Sequence, residues 1–231
     1  MIKAVFFDFY HTLVRYEPPR EQVEADVLKQ LGLEIDPQAL RLPLVAADEF
    51  IYQEIANKPL GQRSREEKMV LYARYQSIVL REAGLRADEK LIYQLMGLMQ
   101  EVQMTLALYD DAPPAMDDLK DHGLKLGLIS NVEHDINPIM EQLGLPQWLD
   151  IVVTSQETGF NKPHPEIFKA ALKQAGVKPA EAIYVGDQYQ VDVVGARGAG
   201  LKGVLIDRLD YNKEVTDCPK IKSLTELSGL L

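Results

Sequence analysis

Hydrophobic residues follow two rhythms along the chain. Short unbroken apolar runs occur at the amino terminus (Ala4-Val5-Phe6-Phe7) and again near 124–130, 150–154, 182–186 and 203–206, each closed by polar residues. Runs of this length without alternation predict strands buried on both faces. Between them, near 113–122, 134–143, 165–175 and 190–199, the spacing predicts helices. Strands alternating with helices imply an α/β fold, a Rossmann-like parallel sheet covered on both sides.

From 15 to 104 the rhythm changes. Apolar positions return every three or four residues, as in Val23-Val27-Leu28-Leu31 and Met69-Val70-Tyr72-Ala73-Gln76-Ile78-Val79, with almost no strand signal. This stretch is expected to be a helical insert, entered at Pro18 and Pro19 and left between Thr105 and Asp111. The α/β core is then residues 1–14 and 105–231.

Composition narrows the class of function only a little. With 231 residues, 46% hydrophobic and 26% charged, the chain can bury a full core. Its net charge of −10 argues against nucleic-acid or anionic-membrane partners, so an anionic ligand must be met by local positive charge. No apolar stretch is long enough to span a bilayer and no signal-like segment leads the chain, so a cytoplasmic protein is expected. The single cysteine, Cys218, excludes an internal disulfide and stands far from the polar signals below. Nothing in the sequence addresses oligomeric state.

Four predicted strand ends carry candidate chemistry, and open α/β sheets bind ligands at that edge. Asp8 follows the first strand, with Tyr10, His11 and Thr12 behind it, and Ser130-Asn131 ends the second signal. Lys162 stands in Asn161-Lys162-Pro163-His164-Pro165, where the prolines fix a loop before a helix over 166–174. Gly186-Asp187 closes the strand near 182–186, with Asp192 five residues on. Singly, Asp8 reads as a helix cap, Ser130 as a loop hydroxyl and Lys162 as a solvated charge. Together they make a site for a small anionic substrate, with an oxygen-rich place for a metal.

In this order the signals resemble the haloacid dehalogenase superfamily of hydrolases. Its pattern is Asp-x-Asp-x-Thr, a strand-end Ser or Thr, a Lys, then Gly-Asp with a further Asp. Here these are Asp8 and Thr12, Ser130, Lys162, Gly186-Asp187 and Asp192, and the resemblance covers the whole chain. It implies that the helical insert is a cap that closes over the site and excludes water. Asp8 would attack as nucleophile and form an aspartyl ester, with Lys162 offsetting charge. Ser130, Asn131 and nearby backbone amides would bind the transferred group. Asp8, Asp187 and the backbone carbonyl of Tyr10 would hold Mg²⁺.

One position departs from the pattern. Tyr10 replaces the second Asp, the acid that protonates a leaving alcohol, and a tyrosine of pKa about 10 is a poor substitute at neutral pH. His11 has a suitable pKa of about 6.5, but strand alternation is expected to turn it away. In the 2-haloacid dehalogenase branch the first motif resembles Asp-x-Tyr-Gly-Thr, and a leaving halide needs no proton; Ser130-Asn131 also fits that branch. Against it, Asp187 and Tyr189 stand where that branch has Ser and Asn, Phe168 stands where it has Tyr, and its halide-binding Arg has no clear counterpart. The favoured expectation is a Mg²⁺-dependent phosphatase. A metal-independent 2-haloacid dehalogenase is the alternative, and a non-catalytic binding protein the second.

Other features have plainer readings. Gly195 to Gly200 imitates a dinucleotide fingerprint but follows a helix, so close packing is expected. His122 reads as a helix end, His134 as surface or capping, His164 as loop geometry, and Arg63 to Lys68 as a solvated helix start. Arg20, Arg41 and Tyr16 are the insert residues considered for reaching an anion, none of them singled out.

Overall fold

The computed structural model describes residues 1–231 and divides them into two compact units, Met1–Arg15 with Leu106–Leu231 and Tyr16–Thr105. Strand β1 (Ala4–Phe7) opens the first unit. The chain then leaves along β2 (Val14–Glu17). Four helices follow: α1 (Arg20–Gln30), α2 (Pro37–Asn57), α3 (Arg65–Glu82) and α4 (Glu89–Met99). It returns along β3 (Thr105–Leu108), which pairs with β2 in a two-stranded sheet. That ribbon lies at the edges of the stretch read as helical, and its strands are mostly half-buried or exposed, without a fully buried apolar run to mark them.

The second unit has its own core of Leu28, Leu40, Leu44, Ala47, Val79, Leu80 and Leu95. Three of its four helices start where side chains satisfy the first amides: Asp36 caps α2, Ser64 and Glu67 form a capping box on α3, and Asp88 caps α4. Residues 65–68 of the charged run are the first turn of α3, mostly exposed, whereas Arg63 lies ahead of it and turns inward to the Lys58 and Glu54 carbonyls.

In the first unit, α5 (Ala112–Asp121) leads to β4 (Lys125–Ser130), α6 (Asn137–Gln142) and β5 (Ile151–Thr154). The one-turn α7 (Ser155–Thr158) and α8 (Pro165–Ala175) then lead to β6 (Ala182–Gly186). A π-helical turn (Tyr189–Val194) runs into the short α9 (Gly195–Gly198), β7 (Lys202–Ile206) and β8 (Lys220–Ile221). The six strands pair in parallel in the order β5-β4-β1-β6-β7-β8. β1 and β6, the strands that deliver Asp8 and Asp187, are neighbours at the middle of the sheet, with Phe7 beside Val185.

Both faces are buried, which explains the unbroken apolar runs. Val5, Phe7, Leu126, Leu128, Ile183 and Val185 pack with Met116 and Leu119 of α5 on one side. Ala4, Phe6, Ile129 and Tyr184 pack with Ile167, Phe168 and Ala171 of α8 on the other. Each such aliphatic or aromatic side chain contributes about 1.5–3 kcal/mol by leaving water. No helix is long and apolar enough to cross a membrane.

The imitation fingerprint proves to be packing. A Cβ added at Gly195 would lie 2.9 Å from the Pro163 backbone, so the glycine lets the start of α9 meet the loop that carries Lys162. His122 follows the last residue of α5, its Nδ1 2.8 Å from the Asp118 carbonyl oxygen. The His164 Nδ1 accepts from the Glu166 amide at 3.3 Å and caps α8, while His134 is exposed.

Candidate active site

Asp8 is the first residue past β1, and its amide still donates to the Val185 carbonyl at 2.8 Å, extending the β1–β6 pairing by one bond. Its side chain is thereby aimed off the carboxyl edge of the sheet. Lys162 lies buried beside it, with Nζ 2.5 Å from Asp8 Oδ1, 2.7 Å from Asp192 Oδ1 and 2.8 Å from the Tyr184 hydroxyl. An ammonium has three protons, and all three are directed at these partners.

Each neighbour is itself held. The Tyr184 hydroxyl lies 3.1 Å from both the Ile129 carbonyl oxygen and Asp192 Oδ1. The Gln188 amide donates to Asp192 Oδ2 at 2.9 Å. Gly186 makes this possible, because a Cβ there would sit 2.3 Å from the Asp192 carboxyl group. The π-helical turn puts Asp192 under the strand end that it follows in sequence.

Asn131 has a task the sequence did not suggest. Its Oδ1 accepts from the Lys162 amide at 2.7 Å and its Nδ2 donates to the Lys162 carbonyl at 3.0 Å. The side chain read as a donor to the transferred group also holds the backbone of Lys162, through Oδ1 and one proton of Nδ2. Ser130, buried at the end of β4, precedes it.

Burial, reinforced by the Asp192 charge, pushes the Asp8 carboxyl up to about 6 against the pull of Lys162. Burial works against the charged Lys162, but the two carboxylates more than offset it and hold the ammonium well above its ordinary range. Tyr184 is raised as well, by burial and then by the same acids, so it stays a neutral hydroxyl.

Asp187 is half-buried and its Oδ2 accepts from Gln188 Nε2 at 2.9 Å. One carboxylate oxygen from each of Asp8, Asp187 and Asp192 lies within 4.8 Å of the others. Both oxygens of Asp192 accept hydrogen bonds, Oδ1 from Lys162 and Oδ2 from the Gln188 amide. Three carboxylates against one ammonium is an arrangement suited to a divalent cation with oxygen ligands. The hydroxyl of Thr12 is fully buried and has no hydrogen-bond partner, a polar group at the same loop with capacity to spare.

After Asp8 the backbone turns sharply. The Phe9 carbonyl accepts from both the Leu13 and Val14 amides at 3.0 Å, and His11 takes a left-handed φ of 61°. His11 is thus in a turn rather than a strand, so the alternation argument against it does not apply. The Tyr10 ring packs against the core, edge-on to Phe9 at 5.0 Å.

The insert residues considered for an anion are engaged within their own unit. Arg20 grips Asp48 through two hydrogen bonds, of 2.9 and 2.6 Å, and Arg41 lies on the surface near Gln38 and Glu21.

A parallel sheet presenting a buried carboxylate, a lysine held between two acids and a third carboxylate at one edge has the donor set of a hydrolase site. The chain belongs to the haloacid dehalogenase-like hydrolases, whose family model matches residues 2–200. It is 31% identical to the glyceraldehyde 3-phosphate phosphatase of Methanopyrus kandleri, over 91% of this chain and 86% of that one. Among solved structures it resembles a HAD phosphatase from Thermococcus onnurineus at 26% identity and a TM-score of 0.57, covering 99% and 97% of the two chains. A 2-haloacid dehalogenase from Pseudomonas syringae shares the fold at 24% identity and a TM-score of 0.56, covering 100% and 98%.

Proposed function

We propose that the protein is a Mg²⁺-dependent phosphatase for small phosphate esters, working through an aspartyl phosphate on Asp8. The observation that carries this reading is the clustering of Asp8, Asp187 and Asp192 within 4.8 Å beside a single Lys162. With one ammonium against three carboxylates, an added anionic substrate would be repelled unless a cation joined it. Relatives named as phosphatases over most of their length support the same direction.

Asp8 and Asp187 would hold the ion, with the Tyr10 carbonyl as a third oxygen. Mg²⁺ bound there would offset the charge of the carboxylates and of the anionic substrate. Asp8, as the carboxylate, attacks phosphorus; the new bond joins its oxygen to phosphorus and the bond to the leaving oxygen breaks, its electron pair departing with that oxygen. Water then cleaves the acyl phosphate, releasing phosphate and restoring Asp8. Lys162 holds the Asp8 carboxylate in place through both steps, and Ser130 with the Thr12 hydroxyl and loop amides would receive the phosphoryl oxygens. The unit Tyr16–Thr105 would act as the cap, and the protein would work in the cytoplasm.

Tyr10 favours a second reading, metal-independent dehalogenation of a 2-haloacid, because halide leaves without a proton. Calorimetry with Mg²⁺, and turnover of p-nitrophenyl phosphate, glyceraldehyde 3-phosphate and L-2-chloropropionate with and without chelator, separate the two. Asp8→Asn should abolish turnover with the fold intact, deamidation being excluded by mass spectrometry. Asp187→Ala should weaken Mg²⁺ binding and activity together. Chelator-resistant chloride release would overturn the phosphatase reading.

A further inference from the structure

Arg208 lies two residues past β7, in a stretch without a sequence motif. Its guanidinium joins three distant segments. Nη1 donates to Asp111 Oδ2 at 2.7 Å, and Nη2 donates both to Asp111 Oδ1 and to the Thr12 carbonyl, each at 3.0 Å. The planar group also lies 3.8 Å from the centre of the Tyr109 ring. Asp111 is fixed from the far side, its Oδ2 accepting from the Ser223 hydroxyl and the Leu224 amide at 2.9 Å. Tyr109 is tied to the same loop, since its amide donates to the Leu13 carbonyl at 2.9 Å.

An exposed ion pair would contribute little. This pair is bidentate, and its side chains are 18% and 17% exposed. Its third contact falls on the carbonyl of Thr12, inside the turn that follows Asp8. The Thr12 hydroxyl has no partner, while its carbonyl receives the guanidinium. The contact set also requires a fork: a lysine could meet Asp111 or Thr12 but could not span both while stacking on Tyr109.

We infer that Arg208 is a positioning residue for the Asp8–Thr12 turn, clamping the Thr12 carbonyl against the Tyr109–Asp111 segment so that Asp8 and the Tyr10 backbone keep one arrangement. The inference rests on Asp8 as nucleophile for its effect on turnover, while its effect on the turn is independent of the reaction.

The test uses Arg208→Lys and Arg208→Ala in the full chain, with folding checked by circular dichroism. On p-nitrophenyl phosphate with Mg²⁺, both should lower kcat by about tenfold or more with KM held within about threefold, the pattern of lost alignment rather than lost binding. Amide exchange in the peptide spanning Phe9 to Val14 should speed up, with Lys125 to Ser130 unchanged. Arg208→Lys keeps the charge and decides the matter if the alanine variant fails to fold. Unchanged kcat together with unchanged exchange in a folded variant would overturn the inference. If the parent cleaves no phosphate ester, the phosphatase reading fails, and faster or unchanged exchange alone then supports or overturns the role of Arg208.

Discussion

Asn131 brackets Lys162 by two hydrogen bonds, accepting from its amide at 2.7 Å and donating to its carbonyl at 3.0 Å. The end of β4 thus holds the loop that presents the buried ammonium, and the lysine side chain starts from a fixed backbone. Substituting Asn131 with Ala should cost about 1–3 kcal/mol of stability through the unmade bonds. Turnover should fall further than binding, because Lys162 would no longer be held on Asp8. Thermal melting and steady-state kinetics on the same preparation check this; a drop in melting temperature with unchanged kcat would confine Asn131 to a structural role.

Tyr184 offers Lys162 its third acceptor, at 2.8 Å. Tyr184→Phe keeps the ring against Phe168 and deletes only the hydroxyl. A buried ammonium proton and the Ile129 carbonyl then lose a partner, a loss of about 1–3 kcal/mol. Urea unfolding should show a lower midpoint with an unchanged slope.

Glu24 makes stability of the helical unit depend on pH. The side chain is 1% exposed, and burial pushes its carboxyl from 4.5 up to about 7 against the nearby Gln76 and Arg20. A folded value above the unfolded one means that the native state holds the proton more tightly. This contribution is fully present below about pH 4.5 and is lost as pH rises through about 7. Its size is of order 3 kcal/mol. Glu24→Gln should therefore melt at a higher temperature than the parent at pH 8 and match it more closely at pH 5. Equal separation at both pH values would show that Glu24 does not titrate in this window.

Tyr10 leaves the phosphatase without the usual acid at that position. Aryl and acyl phosphates, whose leaving groups depart as stable anions, should be cleaved much faster than alkyl phosphates. Tyr10→Asp should narrow that gap by supplying a general acid worth about 10²–10⁴-fold on poor leaving groups. Equal rates on alkyl and aryl esters in the parent would identify another acid, with His11 the first to test.

The fold was legible because it rests on local pattern. A strand buried on both faces must be apolar throughout, so Ala4–Phe7 and Lys125–Ser130 announce themselves, and a polar residue ending such a run marks the sheet edge. Asp8, Ser130 and Asp187 could be picked out on that ground, and Lys162 from the proline-framed loop that precedes α8. The helical unit was equally readable from its three-to-four spacing, whereas β2 and β3 at its edges were not, because they are mostly half-buried or exposed and lack the fully buried run that marks β1.

The contacts that tune the site were not legible, since each joins residues far apart in sequence whose local settings are ordinary. Tyr184 sits in Ala182–Gly186 as one more core residue, and its hydroxyl gains meaning only when β6, β4 and the Lys162 loop converge on it. Asn131 follows a strand end like any loop amide until Lys162, 31 residues on, comes alongside. Arg208 meets Thr12 across 196 positions. Periodicity records which face of an element is buried; which polar atoms meet is settled by packing between elements, where a buried donor must find an acceptor wherever the chain brings one.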